Sequence, residues 1–138
     1  MANDMPSVFT WPVRVYYEDT DAGGIVFYAN YLKFFERART EWLRAAGVGQ
    51  QQLLEQQGAA FVVKNVSLDY HAPARLDDQL LLTLTVEKLG RASVQFAQQA
   101  WRGEQLLTSA SVKVGCVDAE TLRPRSLPDE TAVKMRAV

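Results

Sequence analysis

The residues of this chain that could do chemistry are concentrated in the segment 17–31. Asp21 offers a carboxylate, Gly23 and Gly24 allow the backbone to turn sharply, and Asn30 has the side chain of a helix N-cap. A carboxylate can activate water, while the unpaired amides and the dipole of a helix N-terminus can stabilise an oxyanion. These residue types at this spacing are the raw material of a hydrolytic active site.

A strand and a long helix must position these residues. Val13, Val15 and Tyr17 alternate with more polar neighbours and predict a strand that ends in the acidic run. A helix is predicted over residues 30–46, with Gly47 as its stop. Its apolar residues fall at helical spacing on one broad face, which must be buried against something large; they are Tyr31, Phe34, Phe35, Ala38, Trp42 and Ala45.

The rest of the chain predicts a sheet. A short polar helical segment at residues 50–57 precedes four segments rich in Val, Leu, Phe and Thr, which predict strands at 59–72, 79–89, 92–102 and 105–117. Gly90 and Gly103-Glu104 mark the hairpin turns. One helix followed by a meander of antiparallel strands predicts an α+β domain in which the sheet wraps the helix. Beyond the last strand, the prolines and the loss of apolar periodicity predict an irregular tail.

Length and composition predict one ordinary soluble domain. A chain of 138 residues fits a single domain, and 15 basic against 16 acidic side chains give a net charge of −1. Nucleic acid is therefore not an expected partner. Residues 1–10 lack a basic start followed by an apolar run, and no segment approaches the roughly 18–20 apolar residues of a membrane span. The expected compartment is the cytoplasm.

Three segments carry a resemblance to a known family: YYEDTDAGGIVFYANYLKFFERARTEWL, FVVKNVSLDYHAPARLDDQL and VDAETLRPRSLP. They closely resemble the 4-hydroxybenzoyl-CoA thioesterase family and, within it, the YbgC-type acyl-CoA thioesterases associated with the Tol-Pal system. The resemblance implies one hotdog thioesterase domain over residues 1–138, with an antiparallel sheet wrapped around a long central helix. It also implies that two subunits join their sheets edge to edge, with the sites at the interface. Such dimers are expected to form a homotetramer.

The resemblance assigns catalysis to Asp21, the second aspartate of the family pattern DxDxxGxVxYxxY. Asp21 would deprotonate a water or attack the thioester carbonyl directly, and both routes stay open. Without the resemblance, an aspartate before glycine more often shapes a turn. Asp19 and Glu18 are lesser candidates, which could orient Asp21 or its water or simply be solvated. By resemblance, the backbone N–H of Tyr28 is the expected oxyanion donor.

Tyr28 is also where this chain departs from several YbgC-type relatives, which have histidine at the matching position. The 4-hydroxybenzoyl-CoA enzymes have tyrosine there, as here. A phenol with an ordinary pKa near 10 does not take up a proton at neutral pH as imidazole can, but the backbone donor survives the change. The side chain is expected either to line the pocket or to donate a hydrogen bond.

The resemblance also suggests residues that bind the substrate. Gly24, Phe27, Phe61 and Val62 are expected, together with Tyr28, around a modest apolar acyl pocket. Coenzyme A carries phosphates, so basic residues are expected at the pocket mouth. The best candidates are Arg91 and Ser93 in the turn after Gly90, with Arg123 and Arg125 in the closing segment.

The remaining polar candidates have structural interpretations. Strand parity places His71, the only histidine, on a polar strand face away from the acidic motif. Glu36 points away from the aromatic stripe of the helix, and Glu41 is expected to pair with Arg44. Cys116, the only cysteine, falls on an apolar strand face and is expected to be core. A single histidine and a single cysteine predict no metal site, and no cofactor is expected.

Two other functions compete with acyl-CoA hydrolysis. A hydratase or dehydratase of the same fold needs an Asp/His pair, and it is disfavoured because His71 is predicted far from Asp21. A non-catalytic module that binds acyl thioesters or acyl carrier protein in envelope lipid metabolism would keep the pocket without turnover. The intact Asp21 and glycine motif argues against that alternative.

Overall fold

The computed structural model describes residues 8–137. Residues 1–7, on which part of the expectation about targeting rests, lie outside this range. Within residues 8–137 there are five strands, three α-helices and one short 3-10 turn at Tyr17–Asp19. In chain order they are β1 (Phe9–Arg14), α1 (Asn30–Ala45), α2 (Gln50–Gln57), β2 (Ala59–Tyr70), β3 (Gln79–Leu89), β4 (Ser93–Arg102), β5 (Gln105–Asp118) and α3 (Asp129–Arg136).

The five strands form one antiparallel sheet in the order β1-β3-β4-β5-β2. The predicted hairpins at Gly90 and Gly103 are confirmed, since they connect β3 to β4 and β4 to β5. Gly103 has a positive φ of 59°, which favours glycine at this turn. The predicted bounds of these three strands agree with the structure to within one residue. Strands β1 and β2 come earlier in the chain and form the two outer edges.

Helix α1 packs its aromatic stripe against one face of the sheet. Phe34, Phe35 and Trp42 are at most 3% exposed, and Trp42 packs edge-on against Phe96 of β4 with ring centroids 5.4 Å apart. Burial of each such side chain stabilises the fold by about 1.5–3 kcal/mol. The predicted stripe is confirmed except at its last member, because Ala45 is exposed and Leu43 is buried in its place. The sheet packs around this helix, so the predicted α+β architecture is confirmed.

Two predictions about element ends are wrong. The strand β1 ends at Arg14, so Tyr17 starts the 3-10 turn instead and is 82% exposed. Asn30 is the first helical residue and not the cap, since Ala29 precedes the helix and makes no side-chain cap hydrogen bond. The Asn30 side chain serves a different contact, which is described below.

The edge strand β2 is mostly exposed, and a bulge alters its parity. The register shifts between Val63 and Asn65, so Val63 and Val66 both face the helix side of the sheet. Val62 and Val66 therefore lie on opposite faces of the sheet. Val62 pairs with Gly115 and lies on the opposite face from its neighbour Phe61, whose partner Cys116 is buried.

The predicted irregular tail is also wrong, because residues 129–136 form α3. Pro128 precedes the helix, where a missing N–H does no harm, and acidic residues fill the first turn while basic residues fill the last. Thr131 and Met135 are buried one turn apart. None of the helices within residues 8–137 is long and apolar enough to cross a membrane.

Candidate active site

The acidic motif forms a tight turn between β1 and α1. Asp21 and Ile25 are joined by a hydrogen bond from the Asp21 N–H to the Ile25 carbonyl (2.9 Å), and the Gly24 N–H donates to the Asp21 carbonyl (3.0 Å). Gly24 has a φ of 77°, a conformation that side chains disfavour. A β-carbon at Gly23 would lie 3.2 Å from the Asp21 carboxylate. The two glycines therefore keep this turn tight around the aspartate.

The Asp21 side chain lies on the wall of an open cleft of about 380 Å³, here called the Asp21 cleft. The Gly23 N–H donates to Asp21 Oδ1 (2.8 Å), which fixes the carboxylate while leaving its other oxygen free of partners among residues 8–137. The carboxylate is exposed, so water can reach it. The cleft is also lined by Tyr28, Tyr31, Tyr70, His71 and Pro73.

Asp19 is a buried structural residue, only 6% exposed, so the interpretation of it as a solvated acid is wrong. Its Oδ2 accepts a hydrogen bond from the Tyr16 N–H (2.9 Å) and its Oδ1 from the Asn30 side-chain amide (2.9 Å). Its backbone carbonyl accepts from the Phe27 N–H (3.1 Å). One residue thus ties the end of β1 to the start of α1. Glu18 remains exposed and does not line the cleft.

The Tyr28 N–H lies just before α1, and none of the residues 8–137 accepts a hydrogen bond from it. Of the donors nearby, the Phe27 N–H donates to the Asp19 carbonyl and the Asn30 N–H donates to the Phe27 carbonyl, whereas the Ala29 N–H, like that of Tyr28, has no acceptor among residues 8–137. The Tyr28 carbonyl, in the peptide that follows, accepts from the Tyr70 hydroxyl (2.9 Å) and so ties the chain here to the cleft. The structure thus leaves the Tyr28 N–H available as a donor beside the Asp21 cleft.

The aromatic rings of the cleft support one another. The Tyr28 ring is 63% exposed and packs edge-on against Tyr70, with centroids 6.3 Å apart, while Phe27 lies 4.8 Å from it on the other side. Burial raises the pKa of Tyr70, and the nearby Tyr28 and Tyr31 add to this. The Tyr70 phenol is therefore a neutral hydrogen-bonding group at ordinary pH.

Two buried hydroxyls lie at the base of this region. The Tyr31 and Thr108 hydroxyls are both buried, and neither has a partner among the described residues. Burial raises the pKa of Tyr31, while the nearby Thr108 hydroxyl and Ala74 backbone act in the opposite direction. An unpaired buried hydroxyl costs stability, so a bound water or substrate oxygen would be stabilised here.

The opposite wall of the cleft is fixed by backbone pairing and one ion pair. The Val26 N–H donates to the Ala74 carbonyl (2.8 Å). Arg102 lies 2.7 Å from the Asp78 carboxylate and also donates to the Pro73 carbonyl (3.2 Å). Although burial opposes it, the hydrogen bonds from the Arg75 N–H and the Arg102 guanidinium lower the pKa of Asp78. The segment around Pro73 is thus held against the acidic turn.

His71 lines the same cleft as Asp21, so the prediction that it lies far from the motif is wrong. It follows the last residue of β2, and one ring nitrogen, Nε2, lies 3.0 Å from the Ser109 Oγ. Strand parity could not place it, because the strand has ended and the chain turns back toward Val26. The His71 side chain is exposed.

The other predicted binding residues do not all lie around one site within a single chain. Gly24 and Phe27 lie on the acidic turn beside the Asp21 cleft, whereas Phe61 lines a second cavity of about 320 Å³ on the other side of α1, here called the helix cavity. Arg91 and Ser93 lie in the β3-β4 turn, where the Ser93 carbonyl accepts from the Gly90 N–H (2.8 Å), and line neither space.

The structure also places four other residues that the sequence singled out. Glu41 pairs with Arg44 (2.8 Å), as predicted. Cys116 is 0% exposed and burial raises the pKa of its thiol, so its assignment to the core is confirmed. Arg125 donates to the Gln57 carbonyl (2.8 Å), and Arg123 is exposed. Within residues 8–137 no cluster of three or more His, Cys, Asp or Glu side chains could hold a metal ion.

The pair Asp19 and Asn30 gives a first testable prediction. Asn30→Ala is expected to lower the free energy of unfolding by about 1.5–3 kcal/mol, because it leaves a buried carboxylate oxygen without its donor. Urea unfolding measures this. In an Asp19→Ala background the same substitution should cost much less. Equal costs in both backgrounds would show that the contact contributes nothing.

Comparisons with known proteins place the chain in a family. A family model described as the thioesterase superfamily matches residues 23–109. The chain is 51% identical to an acyl-CoA thioesterase, YbgC, from Haemophilus influenzae, over 88% of this chain and 90% of that protein. It is 45% identical to an acyl-CoA thioester hydrolase, YbgC, from Escherichia coli, over 94% and 97%. A solved structure described as a probable thioesterase from Bartonella henselae is 34% identical, with a TM-score of 0.84 over 88% of this chain and 100% of that one.

Proposed function

Because this chain belongs to the thioesterase superfamily and is an acyl-CoA thioesterase, we propose that it cleaves its substrate in the Asp21 cleft. The resemblance and the hotdog fold predicted from the sequence are thereby confirmed. The observation that carries the proposal is the pairing of a fixed, water-accessible Asp21 carboxylate with the free Tyr28 N–H at one cleft.

The reaction needs a nucleophile and a donor for the developing oxyanion. In one route Asp21 takes a proton from water, whose oxygen attacks the thioester carbon. In the other, the free Asp21 oxygen attacks directly and forms a mixed anhydride that water then cleaves. In both, the carbonyl oxygen becomes negative and accepts a hydrogen bond from the Tyr28 N–H. The tetrahedral intermediate collapses, the C–S bond breaks, and the products are the free acid and coenzyme A.

The local fold supports these roles. The Gly23 N–H holds one oxygen of Asp21 and so aims the other into the cleft. The helix dipole of α1 adds positive potential at Tyr28, which favours the oxyanion further. Asp19 fixes the start of the helix to the acidic turn, so that the base and the donor keep their spacing. Tyr28 itself acts through its amide, and its ring lines the cleft.

The site is completed by a second copy of the chain. Strand β2 is a long edge strand with unpaired backbone groups and exposed apolar residues on its helix side, among them Val63 and Val66 at 50% and 40% exposure. Such an edge invites pairing with another strand. Two chains that pair through β2 form a continuous sheet, and Arg91 and Ser93 bind coenzyme A at the mouth of the shared site. Two such dimers form the tetramer.

Val66→Glu gives the corresponding prediction. Near the middle of β2, this substitution places like charges close together across the two-fold axis, so we expect a monomeric mass by light scattering and at least a tenfold loss of kcat/KM, an order-of-magnitude figure. Val133→Glu, at an exposed apolar residue of α3, is the matched control and should change neither. A wild-type protein that is monomeric and fully active would sink the shared-site proposal.

Turnover itself is tested with a panel of acyl-CoA thioesters of increasing chain length, including aromatic acyl groups. Release of the free thiol is followed for each substrate. Measurable hydrolysis that saturates with substrate is the expected result. Tight binding of the panel without any thiol release would support the alternative of a non-catalytic acyl-thioester module.

A further inference from the structure

The helix cavity has both apolar and polar lining residues, and its two charged groups are one cation and the carboxylate of Glu36, an exposed residue. It lies between α1, the helix side of the sheet and α3, and its apolar lining includes Leu43, Phe61, Phe96 and Met135. The cation is Arg39, on the turn of α1 that follows Phe35. A space of this shape suits a ligand with an apolar body, and the guanidinium suits a polar end.

The Arg39 guanidinium is partly buried and forms no salt bridge with the residues described. No carboxylate of the residues described lies within 4.0 Å of it, although Glu36 is near enough to act against the lowering of its pKa that burial causes. Its single side-chain hydrogen bond in residues 8–137 goes from Nη1 to the Gln98 Oε1 (3.0 Å). The other N–H groups of the fork are left to face the cavity. A desolvated cation of this kind is stabilised by an acceptor oxygen, and most strongly by a carboxylate.

The direction of the guanidinium is fixed by a fully buried residue. Gln98 is 0% exposed, and its Nε2 donates to the Phe35 carbonyl of α1 (3.0 Å), so its Oε1 must point at Arg39. A buried amide with both ends occupied cannot turn without leaving one of them unpaired. The cation is therefore held in the cavity wall and cannot swing out into solvent without a cost.

The proposed pairing of β2 brings this cavity to the active site. Tyr70, at the end of β2, lines the Asp21 cleft, whereas Phe61 and Val63, near its start, line the helix cavity. A strand that pairs with its own copy about a two-fold axis runs antiparallel to it, so the end of one lies beside the start of the other. The Asp21 cleft of one subunit then opens next to the helix cavity of its partner.

We propose that the helix cavity of one subunit holds the acyl group of the substrate cleaved at its partner's Asp21 cleft, and that Arg39 selects acyl groups with a carboxylate at the far end. This inference rests on the proposed function and names its substrate class. The apolar walls hold the methylene chain, and the guanidinium pairs with the terminal carboxylate.

Matched substrate pairs test the selection. Hexanoyl-CoA and octanoyl-CoA end in methyl groups, while adipoyl-CoA and suberoyl-CoA have the same lengths and end in carboxylates. The wild-type enzyme should prefer the carboxylate-ended member at the length that reaches Arg39. Arg39→Met should lower kcat/KM for that substrate by about tenfold or more, as expected for a charged hydrogen bond, and change the methyl-ended one by less than about threefold.

Two further variants separate selection from structure. Arg39→Lys keeps the charge and should keep part of the preference. Arg37→Met makes the same arginine-to-methionine change at an exposed arginine of α1 that does not line the cavity, and it should leave the preference unchanged. If Arg39→Met weakens both members of each pair equally, Arg39 is structural and the proposal is wrong. A wild-type enzyme with no preference at either length also overturns it.

Mixed dimers test the contribution of the partner. A dimer of one Asp21→Asn chain and one Arg39→Met chain, isolated through two different affinity tags, contains one site with both groups intact if they act across the interface. Activity on the carboxylate-ended substrate should then exceed that of either variant alone. If the groups act within one chain, the mixed dimer has no intact site and no activity is recovered.

Different results would refute the proposed function and the selection by Arg39. Full activity of the Asp21→Asn homodimer would remove the proposed function. An inactive Asp21→Asn enzyme together with an Arg39→Met enzyme that keeps the wild-type preference, or that weakens both members of each pair equally, would leave the proposed function in place and remove only this inference.

Discussion

Asp21→Asn is expected to fold normally and to lose at least about a hundredfold in kcat, since loss of a positioned base costs about 10²–10⁴ and loss of a nucleophile can cost more. Asparagine keeps the side-chain oxygen that accepts from the Gly23 N–H at 2.8 Å, so the turn should survive. What it removes is the second carboxylate oxygen, which faces the cleft. Steady-state kinetics with the best acyl-CoA of the panel measures the effect.

Glu18→Gln is the matched control, because Glu18 is a carboxylate of the same segment that is exposed and does not line the cleft. It should turn over at a rate close to the wild type. Near-wild-type turnover by a folded Asp21→Asn protein would remove Asp21 from the mechanism. A single turnover in oxygen-labelled water separates the two routes, since label enters the Asp21 carboxylate only if it is the nucleophile.

Tyr28→Pro is expected to lower kcat by about 10²–10³, because proline has no N–H and loss of one oxyanion donor has this effect. The carbonyl at this position remains, so it can still accept from the Tyr70 hydroxyl. The hydrogen bond from the Phe27 N–H to Asp19 also remains available. Thermal unfolding must be measured together with the kinetics, because proline also restricts the backbone conformation of the residue before it.

Tyr28→Phe is the control for this substitution. It keeps the amide and the edge-on packing against Tyr70 and removes only the phenol, so kcat should change by less than about threefold. If Tyr28→Phe instead lost two orders of magnitude, the hydroxyl would be a participant in transition-state stabilisation. If Tyr28→Pro remained active while folded, the donor would have to be another group.

The elements that depend on local patterns could be predicted from the sequence. Alternation, glycine turns and β-rich composition are local signals, and they located β3, β4 and β5 and the two hairpins between them. The spacing of Phe34, Phe35 and Trp42 likewise predicted the buried face of α1, because helical period and burial coincide there. Asp21 was identified through a family resemblance, since the residue types alone equally suit a turn.

Features that depend on long-range contacts could not be predicted. The buried Asp19 pairs with Asn30, and nothing in an acidic run shows which carboxylate will be enclosed. His71 reaches the cleft because residues 26 and 74 pair, which strand parity does not reveal. The helix α3 did have local signals, namely Pro128 before an acidic and then a basic turn, but the nearby Pro124 and the loss of apolar periodicity obscured them.

The order of the strands has a consequence for how the chain is made. During synthesis, β1, α1 and β2 leave the ribosome first, yet β1 pairs with residues 79–84 and β2 with residues 108–118. At about 5–20 residues per second, the aromatic face of α1 therefore stays without its sheet for several seconds. The edge strands β1 and β2 must then pair with a β3-β4-β5 meander, which can form early because its strands are neighbours in the sequence. A nascent chain interrupted before β5 exposes Phe34, Phe35 and Trp42 together, so it is a substrate for chaperones, not a folding unit.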